Sequence, residues 1–420
     1  MEYDLLVRNA QLPGTETPVD IGVVGARIER IGTGLPDGDR VVDAGGGLVA
    51  GGFVDCHVHL DKALIADSLP VNESGTLEEA IESIHSRKRG YTVRDVRERA
   101  AQAIEMHVRN GCTRIRTHVD VDTIGGLTPL KGVLEAREAC AAIADVQVVA
   151  FPQEGIVRDP GTADLLEEAL EHGSDAIGGM PDNERTDEDT RAHIDHCLAL
   201  AQRHDVPVDM HVDETDDPTA RSLETLASRV IETELESSVT AGHTCALAAY
   251  DETHAHRVID LLVEADIRMV TNPPTNLLLQ GRHDQHPKRR GLTRVDQLRE
   301  TGLTVAAGQD CIQDGFYPYG RASMIETALV TAHAAHLQTP AERAVAWSAV
   351  TDSAAAVMEL EYGLSAGSLA TFNVFEPAVT TRTDVLRAGS PPRQVVHEGR
   401  IVAENTSSST LYASGSAMSD

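Results

Sequence analysis

Gly51-Gly52-Phe53-Val54-Asp55-Cys56-His57-Val58-His59-Leu60-Asp61-Lys62 is the stretch on which the reading of this chain turns. Phe53 to Val58 has the apolar character of a buried strand, and the strand ends in two histidines spaced i, i+2. Side chains two apart on an extended strand point to the same side. Two neutral imidazoles side by side make half of a transition-metal site. A pair of half-buried strand histidines would look the same, so the metal reading depends on whether the rest of the chain supplies the missing ligands.

Outward from this stretch, short apolar strand candidates alternate with longer helical patterns, which marks a parallel α/β fold. The candidates are Phe53–His57, Thr113–Val119, Val146–Phe151, Asp175–Gly179, Val206–His211, Ser238–His243, Ile267–Asn272 and Leu303–Asp310. Eight such strands over roughly 260 residues predict a (β/α)8 TIM-type barrel. The intervening helices are amphipathic. One runs from Arg94 to Arg109 with Val96, Ala100, Ile104 and Val108 on its apolar face, and another from Thr186 to Arg203.

The two ends of the chain read differently. Residues 1–50 hold short β pieces (Asp4–Arg8, Asp20–Val24, Arg27–Ile31 and Val41–Asp43) broken by glycines and an Asp37-Gly38-Asp39 turn. Residues 366–405 return to that texture with Leu369–Phe375, Gln394–His397 and Arg400–Ala403. The expectation is a small β-sandwich domain built from both ends around a catalytic barrel of residues 51–365. Residues 406–420, rich in serine, are expected to form a disordered tail.

In a barrel of this kind the active site lies at the C-terminal ends of the strands. Metal-binding side chains collect there. The first strand ends in His57 and His59, the fifth in His211, the sixth in His243 and the eighth in Asp310, while the third runs into Gln153-Glu154. Three imidazoles (His57, His59, His211) and one carboxylate (Asp310) suit one Zn²⁺ or Fe²⁺ with a position left for water. Such an ion makes water a nucleophile at neutral pH. Glu214 and His243 then fit the roles of proton handler and electrostatic stabiliser. A two-metal site would want a bridging lysine after the fourth strand, where the chain reads Met180-Pro181-Asp182-Asn183-Glu184. A single metal is therefore expected.

Several other features have structural readings. His118 also ends a strand and is read as a hydrogen-bonded rim histidine or a pocket wall. Gly45-Gly46-Gly47 precedes a strand with no helix behind it, so it is a turn and not a phosphate loop. Lys288-Arg289-Arg290 is expected to pair with local acids, and Cys311, with no base beside it, to form pocket wall rather than a nucleophile.

The totals bound the function. The 420 residues carry a formal net charge of −30, which argues against nucleic acid or an anionic membrane as partner. Of 36 basic residues only Lys62, Lys88, Lys131 and Lys288 are lysine, a bias that fits either adaptation to high salt or a GC-rich coding sequence. No apolar run approaches the roughly 18 residues of a membrane span. Met1-Glu2-Tyr3-Asp4 does not open a secretory signal, so a cytoplasmic location is expected. The six cysteines form no C-x-x-C pair and read as reduced thiols.

Taken together, the motifs resemble the amidohydrolase superfamily, and within it the bacterial cytosine deaminase group. The resemblance is carried by His57-Val58-His59-Leu60-Asp61-Lys62, Arg116-Thr117-His118-Val119-Asp120-Val121, Ala150-Phe151-Pro152-Gln153-Glu154-Gly155-Ile156 and His211-Val212-Asp213-Glu214-Thr215-Asp216-Asp217. Gly242-His243-Thr244, Leu279-Gln280-Gly281-Arg282, Pro287–Gly291 and Asp314-Gly315-Phe316-Tyr317-Pro318 add to it. It implies that Glu214 shuttles a proton to a ring nitrogen and that Asp310 takes a proton from the attacking water. It also implies that His243 orients that water and that Gln153 hydrogen-bonds the carbonyl and N–H edge of the ring. The implied reaction is hydrolytic deamination of a small amino-heterocycle, for cytosine giving uracil and ammonia. A homo-oligomer is implied as well.

The chain departs from that pattern at the eighth strand. His-Asp-Asp is expected there and Gln309-Asp310-Cys311 stands instead, which leaves that pocket wall less charged and roomier. Phe316 stands where a tryptophan is usual. These departures keep open a substituted pyrimidine, isocytosine or an aminotriazine as substrate, and also hydrolysis of an N-alkylamino ring or a cyclic amide. A binding protein that has kept the fold without the chemistry is disfavoured by the complete ligand set.

Overall fold

The computed structural model describes residues 3–70, 73 and 77–410. Residues 411–420, most of the expected disordered tail, lie outside the described residues, while residues 406–410 are exposed coil. Eight parallel strands follow one another in chain order around a single sheet. They are β1 (Phe53–Val58), β2 (Cys112–Asp120), β3 (Asp145–Phe151), β4 (Ala176–Gly179), β5 (Val208–Val212), β6 (Val239–His243), β7 (Arg268–Thr271) and β8 (Val305–Ala307). With helices between them, this is the (β/α)8 barrel. β1, β2 and β5 are buried along their whole length. Their polar residues, among them Asp55, Arg116, His118 and Asp209, are therefore buried with them.

The barrel closes through Asp310. Its amide donates to the carbonyl of His57 (2.8 Å), and its own carbonyl accepts from the amide of His59 (2.9 Å). β8 is shorter than the expected Leu303–Asp310 because the chain leaves the ladder at Gly308. A Cβ on Gly308 would lie 2.6 Å from the His57 Cβ and 2.7 Å from Asn272 Oδ1, so only glycine lets the two strand ends approach. Asp55 reinforces the seam from inside, its Oδ1 accepting from the amides of His57 (3.2 Å) and Gln309 (3.1 Å).

The helices pack outside. Val93–Arg109 starts at Thr92, whose side chain accepts from the Asp95 amide, and buries Val96, Ala100, Ile104 and Val108 as their spacing predicts. The helix expected over Thr186 to Arg203 is Asp187–His204, capped by Thr186.

The chain ends form two four-stranded sheets. In the first, Tyr3–Ala10 pairs with Val19–Val24 and, in parallel, with Gly38–Asp43. The Asp37-Gly38-Asp39 turn is thus corrected: Gly38 already belongs to a strand, and a Cβ there would meet the Tyr3 carbonyl at 2.5 Å. The second sheet joins Arg400–Glu404, Gln394–His397 and Phe372–Val374 to Val49–Gly51. Leu5, Val7, Ile21 and Ile28 of one sheet share a core with Phe372, Val374 and Val396 of the other. A further helix, Arg382–Ala388, opens with a Thr381/Asp384 capping box that the strand-centred reading of this segment overlooked. Among the described residues no helix is long and apolar enough to cross a membrane.

Candidate active site

The site is assembled where strands end in left-handed backbone. Asp213 (φ 51°), His243 (φ 67°), Thr244 (φ 49°) and Asp310 (φ 67°) all have positive φ at the ends of β5, β6 and β8. Non-glycine residues there carry a cost, and such costs collect at functional sites.

Four of the expected residues converge. His57, His59, His211 and Asp310 each place a ligand atom within 4.8 Å of all the others, and all four are buried. His211 Nε2 lies 3.2 Å from both His57 Nε2 and His59 Nε2. Asp310 Oδ1 lies 3.6 Å from His57 Nε2 and 3.4 Å from His59 Nε2. Four ligands at about 2.0–2.1 Å from a tetrahedral ion stand about 3.3–3.4 Å apart, so this cage fits a small divalent cation.

The protonation states agree with that fit. His59 Nδ1 faces the carbonyl of His118 (3.0 Å), an atom that only accepts. The proton is therefore on Nδ1, and the Nε2 lone pair points into the cage. Burial, then the neighbouring imidazoles, push His57 and His211 well below the ordinary histidine value. His59 is lowered to about 4, by burial and then by Lys62. Burial alone would raise Asp310, but His243 and His59 outweigh it and hold the carboxyl below its usual range. Three neutral imidazoles around an ionised carboxylate are the ligand state of such residues.

Glu214 and His243 stand beside this cage, with Glu214 Oε1 3.2 Å from His243 Nδ1. Burial raises the Glu214 pKa, helped by Asp310 and opposed by His243. Two asparagines hold the pair. Asn276 Nδ2 donates to Glu214 Oε1 (3.1 Å), and Asn272 Nδ2 lies 3.2 Å from His243 Nε2. Sequence reading missed both. Their signal was the i, i+4 spacing in Asn272-Pro273-Pro274-Thr275-Asn276 at the start of the helix Pro273–Leu279, which puts them on one face.

A cavity of about 260 Å³ opens over the cage, lined among others by His59, Gln153, Asp182, Glu214, Cys311 and Phe316. It lies just below the roughly 300–1,000 Å³ of sites for drug-sized ligands, which limits it to a small molecule. Cys311 is 2% exposed, and burial, then Asp310, raises its thiol so that it stays neutral. His118 lines no part of this cavity. It sits behind His57, ring centroids 4.2 Å apart, with Nε2 3.2 Å from Asp209 Oδ1. Asp209 in turn accepts from the buried Arg116 (2.8 Å), a supporting layer that sequence reading did not foresee. Arg289 pairs with Asp284 (2.6 Å), as expected of its basic cluster. All six cysteines are free.

A model described as "Amidohydrolase family" matches residues 40–403. The structure is similar to that of 5-methylcytosine deaminase from Klebsiella pneumoniae with 5-fluorocytosine bound. The TM-score is 0.91 and the identity 33%, over 97% of this chain and 99% of that one. N-isopropylammelide isopropyl amidohydrolase of Pseudomonas sp. (strain ADP) is 30% identical over 88% of this chain and 90% of its own length. Pterin deaminase of Rhizobium rhizogenes is 32% identical over 74% of this chain and 70% of its own.

Proposed function

We propose that this chain, which belongs to the amidohydrolase family and is a hydrolase of C–N bonds, deaminates a cytosine that carries a small 5-substituent, 5-methylcytosine first. The carrying observation is Cys311. Where the cytosine deaminase pattern has a second carboxylate, the cavity wall presents a buried neutral thiol. A thiol behaves as a small hydrophobe and accepts a methyl group that an ionised carboxylate would reject. The similarity to a deaminase of 5-methylcytosine supports the same substrate class.

A divalent ion, zinc or iron, held by His57, His59, His211 and Asp310 would supply the Lewis acidity that makes water nucleophilic at neutral pH. The residues of the chain do the rest. Glu214, its pKa raised, delivers a proton to the ring nitrogen next to the attacked carbon. His243, fixed by Asn272 and Asn276, orients the attacking water. Asp310 takes a proton from that water and passes it to the departing nitrogen. Gln153 and Phe316 hold the ring. Water adds to the amino-bearing carbon, the hydroxyl of the adduct returns its proton to Glu214 as the C–N bond breaks, and 5-methylcytosine leaves as thymine and ammonia.

The test is ammonia release from cytosine and 5-methylcytosine by metal-reconstituted enzyme, with product masses. A higher kcat/KM for 5-methylcytosine is expected, and Cys311→Asp should move the ratio toward cytosine by about 10–100-fold. Turnover of cytosine alone would sink the 5-substituent reading. The 30% identity to an enzyme of N-isopropylammelide favours a second reading, release of an alkylamine from a triazine ring, which the same mass spectra detect.

A further inference from the structure

The terminal amide of glutamine offers an acceptor on one side and a donor on the other, and the two have almost the same shape. Which of them faces a substrate is decided by what holds the opposite side. In this protein that neighbour is Lys62. Its Nζ donates to Gln153 Oε1 at 3.1 Å. An ammonium has three donors and no acceptor, so it tolerates only the oxygen of the amide. Lys62 is 1% exposed and is fixed by Asp120 Oδ1 at 2.7 Å. Asp120 is fixed in turn by Lys88 at 2.6 Å. Burial works against the Lys62 charge, but Asp120 and Asp61 more than offset it and raise its pKa, so it remains a donor. With Oε1 held, the Gln153 Nε2 hydrogens are left for the cavity that Gln153 lines.

We propose that Lys62 is a positioning residue that locks the Gln153 amide with its nitrogen toward the cavity, so that the site selects rings bearing a carbonyl oxygen one ring nitrogen away from the amino-bearing carbon. The substrate half of this rests on the heterocycle reading above, whereas the orientation of the amide does not. Cytosine-type rings carry such a carbonyl. A 2,4-diaminopyrimidine presents a second amine there, which meets donor with donor. A site built to hydrogen-bond one group rejects an analogue that leaves its buried polar atoms unmatched.

The experiment compares ammonia release from 5-methylcytosine and 2,4-diamino-5-methylpyrimidine in wild type, Lys62→Met and Gln153→Glu. A neutron structure of the resting wild-type enzyme accompanies it. Wild type should favour the carbonyl ring by about 10²-fold or more. Lys62→Met frees the amide to turn while Asp120 keeps Lys88, and the preference should shrink by about 10-fold or more. Gln153→Glu presents an acceptor to the ring and should reverse the preference. Lys62→Met lowering both rates in parallel would assign the lysine a merely structural part and overturn the proposal. Amide deuterons of Gln153 aimed at Lys62 in the neutron map would overturn it whatever the substrate. If wild type turns over neither pyrimidine, the substrate reading fails on its own, and the neutron map still decides the amide.

Discussion

The histidines around Asp310 and the lysines around Asp120 are buried alike and stand side by side at the mouth of one barrel, but their polar atoms are used in opposite ways. Lys62 and Lys88 share Asp120 at 2.7 and 2.6 Å, and Lys88 also takes Asp122 at 2.6 Å. Every cation there has its anion. In the other cluster, three imidazole nitrogens and a carboxylate oxygen face one another at 3.2–3.6 Å, with the His59 proton held away from them by the His118 carbonyl. Buried polar groups are normally paired. The difference therefore separates support from reaction site: in one cluster each lysine has its anion, and the converging one is built for something brought in.

The sharpest way to break the comparison is to remove one member from each side. His211→Ala should lose the bound metal, read by elemental analysis, and lower kcat/KM by at least about 10⁴-fold, with the fold retained. Chelation of the wild type should do the same, reversibly. Lys88→Met should do the converse, keeping the metal while unfolding in urea with a loss of about 3–5 kcal/mol, because it strands buried carboxylates. Glu214→Gln lies between the two. It should retain metal and native stability yet lower turnover by about 10²–10⁴-fold.

The smallest effect concerns Asp314, a buried carboxyl behind Cys311 that accepts from the amides of Phe316 and Tyr317 at 2.9 Å each. Burial raises it from 3.8 to about 6. The folded chain thus holds this proton more tightly than the unfolded one. Its contribution is favourable below about pH 4 and is lost as the pH rises through about 6. Asp314→Asn keeps the acceptor and removes the charge. Its stability relative to wild type should therefore be higher at pH 7.5 than at pH 4 by roughly 1–3 kcal/mol, read from urea midpoints at both.

Much of the barrel is legible in the sequence because its signals are local. Phe53–His57, Val206–His211 and Ser238–His243 are short runs that each close in a histidine, and His57-Val58-His59 announces a shared face by spacing alone. The partners across the barrel are not local. Lys62 stands in the stretch that decides the fold, but Asp120 and Gln153 lie 58 and 91 residues further on, and no pattern around them marks the pairing. Asn272 and Asn276 were passed over for a related reason: asparagine beside prolines reads as loop punctuation until His243 and Glu214 are seen against them. The start of the strand Gly38–Asp43 reads as a turn because glycine and aspartate favour turns, whereas Tyr3 requires a glycine at that crossing.

Asp310 is both a member of the cage and the residue whose amide and carbonyl join β8 to β1. The last link in the hoop is thus also one wall of the ion's seat. An ion held there would act as a rivet through the seam, and prying it loose would require the same fluctuation that lets the hoop spring open. The rate at which a chelator strips the protein would then serve as a clock for the breathing of a single joint, timed against hydrogen exchange at the amides of His59 and Asp310.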